Sequence, residues 1–258
     1  MGTITRGTTN PNRLRRVDRW IAGPQAWRLR RPGPPPVVVD LGYGASPATA
    51  VELHERLRRV RRDVRVVGIE IDPDRVAAAQ PLQREGLSFE LGGFEVPLRD
   101  GSRPGIVRAF NVLRQYDERD VPAAWGRVME RLAPGGLFID GTCDEVGRRT
   151  TWVALGADGP VSLTISLRLG GLERPSEVAE RLPKALIHRN VPGEAIHGYL
   201  HDLDRAWAYA APHAAWGARQ RFLETARTVA RRWPVHGGPS RWRLGEITVA
   251  WDAIAPAS

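Results

Sequence analysis

Asp40-Leu41-Gly42-Tyr43-Gly44 and, further along, Glu70 are the residues whose types and spacing could do chemistry. Two glycines one residue apart let the backbone adopt positive φ and approach a ligand closely. An acid at the end of the following strand, Gly68-Ile69-Glu70, can accept both hydroxyl protons of a vicinal diol such as ribose. Together they describe a turn that holds a nucleoside, provided both stand at the carboxyl edge of one sheet.

The elements needed to place them there are legible. Val37-Val38-Val39-Asp40-Leu41 is a short apolar run of the kind found in parallel strands buried on both faces. Ser46-Pro47 predicts a helix start, a cap followed by proline at the first helical position. A second strand runs from Val64 to Glu70, and Asp72-Pro73 opens the next helix. Strand and helix signals keep alternating to about Leu169, which argues for a parallel sheet with right-handed crossovers. Gly156-Ala157-Asp158-Gly159-Pro160, between two apolar runs, then predicts an antiparallel hairpin. Residues 172–239 read as mostly helical, and a final strand, Leu244 to Trp251, rejoins the sheet.

The expected fold is thus α/β: a doubly wound, mostly parallel seven-stranded sheet with helices on both faces, an antiparallel last strand and a helical insert. Residues 1–34 form a basic arm that ends in a proline linker. Residues 35–171 with 240–258 form the ligand-binding domain, and 172–239 form a helical cap or insert. Within the arm, Leu14, Val17 and Ile21 recur at helical spacing, with Asn12 as the expected cap and Gly23 as the end. That helix is either docked on the main domain by its apolar face or is a lid using its arginines and Trp20.

Other nucleotide chemistries fit less well. The pyrophosphate fingerprint Gly-x-Gly-x-x-Gly needs a third glycine where this chain has Pro47, which lacks an amide proton. No Gly-Lys-Ser or Gly-Lys-Thr occurs, so the phosphate-cradling loop of that type is absent.

Composition narrows the classes further. The net charge of +9 is concentrated in residues 1–34, which hold eight arginines and one acid, leaving the rest of the chain near neutral. With a single lysine, Lys184, the arginine bias reads as genomic rather than as selection for phosphate contacts, so nucleic acid is a possible partner but not the favoured one. One cysteine, Cys143, excludes an internal disulfide and a cysteine-built metal site, and no metal is expected. Lacking a long apolar run or a secretory leader, the chain reads as cytoplasmic with no membrane partner. Arg6 stands where a myristoylation signal would place Ser or Thr.

Val37 to Glu70 resembles the first two motifs of the class I S-adenosylmethionine-dependent methyltransferases. The likeness continues through Arg108-Ala109-Phe110-Asn111-Val112-Leu113 and Leu132-Ala133-Pro134-Gly135-Gly136-Leu137, similar to motifs of chemotaxis-receptor methyltransferases. It covers roughly residues 35–170. The resemblance implies S-adenosylmethionine as cofactor, with Asp40, Gly42 and Gly44 shaping its methionine end and Tyr43 near the sulfonium. It further implies Glu70 on the ribose, Ile71 and Phe94 covering the adenine, and Asn111 at the methionine end or the acceptor. Gly93-Phe94 departs from the family where many members present an acid to the adenine amine. Methyl transfer from a sulfonium depends mainly on alignment, so no base is obligatory. Tyr116, Asp144 and His201 are the weak candidates for one. The acceptor is unidentified, with a small molecule or a protein side chain preferred. An RNA methyltransferase using the arginine-rich arm and a regulatory protein that binds the cofactor without turnover are the alternatives.

Overall fold

The computed structural model describes residues 10–256; the start of the arm, with the myristoylation reading at Arg6, lies outside the described residues. The chain divides into two compact units, Met1–Gly147 with Leu155–Gly159 and Arg148–Ala154 with Pro160–Ser258. The first boundary follows the fifth strand.

The first unit begins with two short helices, α1 (Arg15–Ala22) and α2 (Ala26–Leu29), followed by β1 (Val37–Leu41), α3 (Ala48–Leu57) and β2 (Arg65–Glu70). Next come α4 (Pro73–Ala79), β3 (Leu87–Leu91), β4 (Ile106–Phe110), α5 (Val121–Arg131) and β5 (Leu137–Cys143). The five strands run in the order β3-β2-β1-β4-β5, and every neighbouring pair is parallel. From β1 the chain steps one way to β2 and β3, and from β4 it steps the other way to β5. Right-handed crossovers therefore put α3 and α5 on opposite faces, and the reversal between β1 and β4 opens a crevice at the carboxyl edge. β1, β4 and β5 are buried along their whole length, as strands covered on both sides must be.

Local signals account for most starts and stops. Asp72 caps α4, its side chain accepting the amide of Asp74 at 3.0 Å, and Pro73 stands at the first helical position. Ser46 and Pro47 lie one residue further from α3 than expected. Pro47 is the capping residue itself, while the Ser46 hydroxyl accepts the Ala48 amide at 3.4 Å. Asn12 does not cap α1; that position is Leu14, and the Asn12 carboxamide oxygen binds Arg56 instead. Gly23 does end the helix.

α1 is docked on its unit by its apolar side, with Leu14, Val17, Trp20 and Ile21 all buried. A buried charge chain ties it down. Arg108, inside β4 and without solvent exposure, reaches Asp40 of β1 through Nε at 2.8 Å and Nη2 at 3.0 Å. It also donates to Asp18 of α1, which accepts Arg56 of α3 as well. Burial opposes the charge on Arg108, but the carboxylates of Asp18 and Asp40 more than offset that and hold the guanidinium protonated. A lone arginine inside a strand would be ruinous; with two carboxylates it is a fixed joint between arm and sheet.

The second unit holds β6 (Arg149–Gly156) and β7 (Gly159–Leu167) apart from their joining turn Leu155–Gly159, with α6 (Lys184–Ile187), α7 (Ala195–Tyr209), α8 (Ala218–Val229), β8 (Val235–His236), α9 (Pro239–Trp242) and β9 (Glu246–Ala250). β9 pairs antiparallel with β7 and with β8. α7 and α8 pack through Trp207 on Phe222, edge to face at 6.4 Å. Nine strands thus occur among the described residues, of mixed orientation, where seven were expected. The total of seven left no room for both hairpin strands with the last strand, and β8 is only two residues long, too short to show a period. No helix among the described residues is long and apolar enough to cross a membrane.

Candidate active site

Leu41 and Gly42 form one side of a cavity of about 580 Å³ at the carboxyl edge of the first unit's sheet. Glu70 ends β2 and Ile71 follows it in the lining, Leu91 ends β3 with Gly92 to Glu95 after it, and Val112 and Tyr116 follow β4. Asp120, Ala124 and Arg127, at the start of α5 and along it, complete the lining. The volume lies within the range of small-molecule sites, and the position is the crevice that the strand order creates.

Gly42 has φ +70°, and a Cβ there would lie 2.6 Å from Val112 Cγ2, so the turn admits only glycine without repacking. Its amide donates to the Ile69 carbonyl at 2.7 Å, which folds the turn against β2. Gly44, at φ +81°, gives its amide to Glu70 Oε2 at 2.8 Å, and Ile71 gives its amide to Oε1 at 3.0 Å. Glu70 is 1% exposed and so rigidly aimed. Each carboxylate oxygen still has lone-pair capacity for one more donor. Ile71, Leu91 and the Phe94 ring supply apolar wall, Phe94 meeting Tyr116 edge to face at 5.4 Å.

Three residues expected at the ligand face elsewhere. Tyr43 is buried against Phe89, ring centroids 5.6 Å apart, with its hydroxyl 3.3 Å from the Arg75 carbonyl. Burial, reinforced by Glu70, raises its phenol above the ordinary value. Asp40 is committed to Arg108 and to the Thr49 hydroxyl at 2.7 Å. Asn111 adopts φ +60°, a conformation asparagine tolerates, and its Oδ1 accepts the Cys143 amide at 3.0 Å, joining the ends of β4 and β5. None of the three lines the cavity.

Of the weak base candidates, Tyr116 lines the cavity, whereas Asp144 accepts the Val146 amide at 3.3 Å in the turn after β5. His201 is exposed on α7 in the second unit. The reading from sequence missed Glu95. The position of Gly93 carries no acid, but Glu95, two residues on, lines the cavity and accepts the Gly93 amide at 2.8 Å. Its signal was an acid in the turn directly after a parallel strand.

No protein-family model and no curated protein sequence matches the chain. Solved structures similar to it include the cyclopropane synthase MmaA2 from Mycobacterium tuberculosis, with 16% identity and TM-score 0.37, over 52% of this chain and 48% of that one. Magnesium protoporphyrin IX methyltransferase (ChlM) from Synechocystis PCC 6803 with bound SAH gives 15% identity and TM-score 0.37, over 54% of this chain and 63% of that one. A putative sarcosine dimethylglycine methyltransferase from Galdieria sulphuraria gives 21% and 0.35, over 49% and 46%. The chain spans less than two thirds of the length of each of these structures.

Proposed function

We propose that the cavity of the first unit binds S-adenosylmethionine and that the protein transfers its methyl group to an acceptor, a small molecule or a protein side chain. The observation that carries this is Glu70: a buried carboxylate, oriented by two backbone amides, facing a cavity of nucleoside size behind a glycine turn. Glu70 accepts the ribose hydroxyls, Ile71 and Phe94 cover the purine, and Glu95 stands near the purine edge as an acceptor for an amine. The turn at Gly42 leaves the backbone close to the ligand because nothing projects from it.

A dinucleotide is disfavoured by the same geometry. The pyrophosphate would need free amides at the start of α3, where Pro47 has none and the Ala48 amide is already bound to Ser46. When bound, the cofactor supplies a methyl group on a leaving group that is already activated. The chain's part is to hold it still, exclude water and align the acceptor, a contribution of several kcal/mol. Tyr116, on the cavity wall, is placed to orient an acceptor or take its proton.

The RNA alternative loses much of its basis. Arg13 donates to Cys143 Sγ at 3.2 Å, Arg15 to the Val146 carbonyl at 2.8 Å and Arg16 to the Gly147 carbonyl at 2.9 Å. Arg28 and Arg31 donate to the carbonyls of Gly135 and Pro134. These arm arginines fasten loops of their own unit.

The test is calorimetric titration with S-adenosylmethionine and S-adenosylhomocysteine, with Glu70→Ala and Glu70→Gln alongside. Saturable binding by the native protein, weakened at least tenfold in Glu70→Ala and less in Glu70→Gln, is expected. No heat with either ligand in folded protein refutes the proposal.

A further inference from the structure

A second cavity, about 610 Å³, lies between α1 and α3 and shares no residue with the one just described. Its charged walls are Arg15 and Arg19 from α1, with Arg56 and Arg59 from α3 and just beyond it. Three acids, Asp18, Glu52 and Glu55, line it too, so the raw balance is only slightly positive.

The pairing changes that picture. Asp18 is held by Arg108 and Arg56. Glu52 accepts Arg56 Nη1 at 3.0 Å and the Asn12 amide at 2.6 Å, and Glu55 accepts Arg84 Nη2 at 3.3 Å. Every acid of the groove therefore already has a cation. Arg15 gives Nη1 to the carbonyls of Asn12 and Val146, both neutral acceptors, and keeps its charge unneutralised. Arg19 and Arg59 have no hydrogen-bond or ion-pair partner among the described residues. Ala22 and Val60 give the groove some apolar surface.

We propose that this groove binds a phosphate-bearing small molecule, its phosphoryl oxygens shared between Arg19 and Arg59. A single carboxylate is satisfied by one guanidinium fork, whereas a tetrahedral dianion can take forks from two walls at once. The volume suits a molecule of nucleotide size rather than a bare ion.

The probe is pyrophosphate, titrated calorimetrically at low ionic strength into the full chain, into Arg19→Ala/Arg59→Ala, and into Arg62→Ala/Arg243→Ala. The control pair removes two exposed arginines that do not line the groove. The proposal expects one saturable site, weakened about tenfold or more by the first double substitution and unchanged by the second. The first variant should unfold at the same temperature as the native protein, which reports on its fold. Absence of saturable binding overturns the proposal, as does an equal loss in both variants, which would reveal diffuse charge. Binding of a single-stranded RNA without binding of pyrophosphate overturns it too, and would assign the face to nucleic acid.

Discussion

Arg108→Met should be among the most damaging substitutions in the first unit. It removes the one cation that joins Asp40 to Asp18, both of them 2% exposed or less. Asp18 would keep Arg56, but Asp40 would keep only the Thr49 hydroxyl. Breaking a buried ion pair from one side costs about 3–5 kcal/mol, because it leaves an uncompensated charge. That is a large share of the stability of an ordinary domain, about 5–15 kcal/mol. Urea unfolding followed by tryptophan fluorescence should show a midpoint lower by roughly 1 M or more. Two further signatures separate charge from lost packing. The triple variant Asp18→Asn/Asp40→Asn/Arg108→Met should recover at least half the loss. The single variant should regain stability towards about pH 4, as the stranded Asp40 carboxylate takes up a proton. A loss below about 1 kcal/mol, or a triple variant weaker than the single one, would refute the joint as described.

Gly42→Ala forces a side chain into φ +70° and against Val112, so we expect a loss of about 1–3 kcal/mol and weaker S-adenosylhomocysteine binding by calorimetry. Burial pushes the Asp140 carboxyl up to about 7, against a hydrogen bond from Trp125 Nε1 at 3.0 Å. The folded state thus holds a proton that the unfolded chain releases near pH 4, and Asp140 makes stability fall as pH rises from about 4 to about 7. Asp140→Asn should therefore exceed the native protein by roughly 2–4 kcal/mol at pH 8, with the gain vanishing near pH 4, as measured by thermal unfolding at both. Gly93→Asp places a second acid where we propose that the purine edge lies, its Cβ nearest to the Glu95 carboxylate and Ile71. It should leave cofactor affinity unchanged or lower in the same titration, since two carboxylates would then compete for one amine.

Much of the first unit was legible because its signals are local. A five-residue apolar run, an Asp-Pro helix start and a Pro-Gly-Gly stop each act within a few residues, and their alternation implies a parallel sheet, whereas the order β3-β2-β1-β4-β5 is set by pairings between distant segments. The turn at Gly42 was legible for the same reason, since positive φ with no side chain is a demand on one residue. Side-chain direction was harder to read. Tyr43 and Asn111 stand inside or beside motifs, yet the backbone aims one at Phe89 and the other at Cys143, partners 46 and 32 residues away that no spacing rule supplies. Arg108 did carry a warning, a charge within Ile-Val-Arg-Ala-Phe, but its partners lie 68 and 90 residues away. β8 escaped because two residues have no period, and its place comes from pairing with β9.

The most direct test is a crystal structure of the protein with S-adenosylhomocysteine at saturation. We predict both ribose hydroxyls within about 2.6–3.0 Å of the Glu70 carboxylate, with the purine between Ile71 and Phe94. Density for the ligand away from Glu70, or a cavity left unfilled at saturating concentration, would contradict the account.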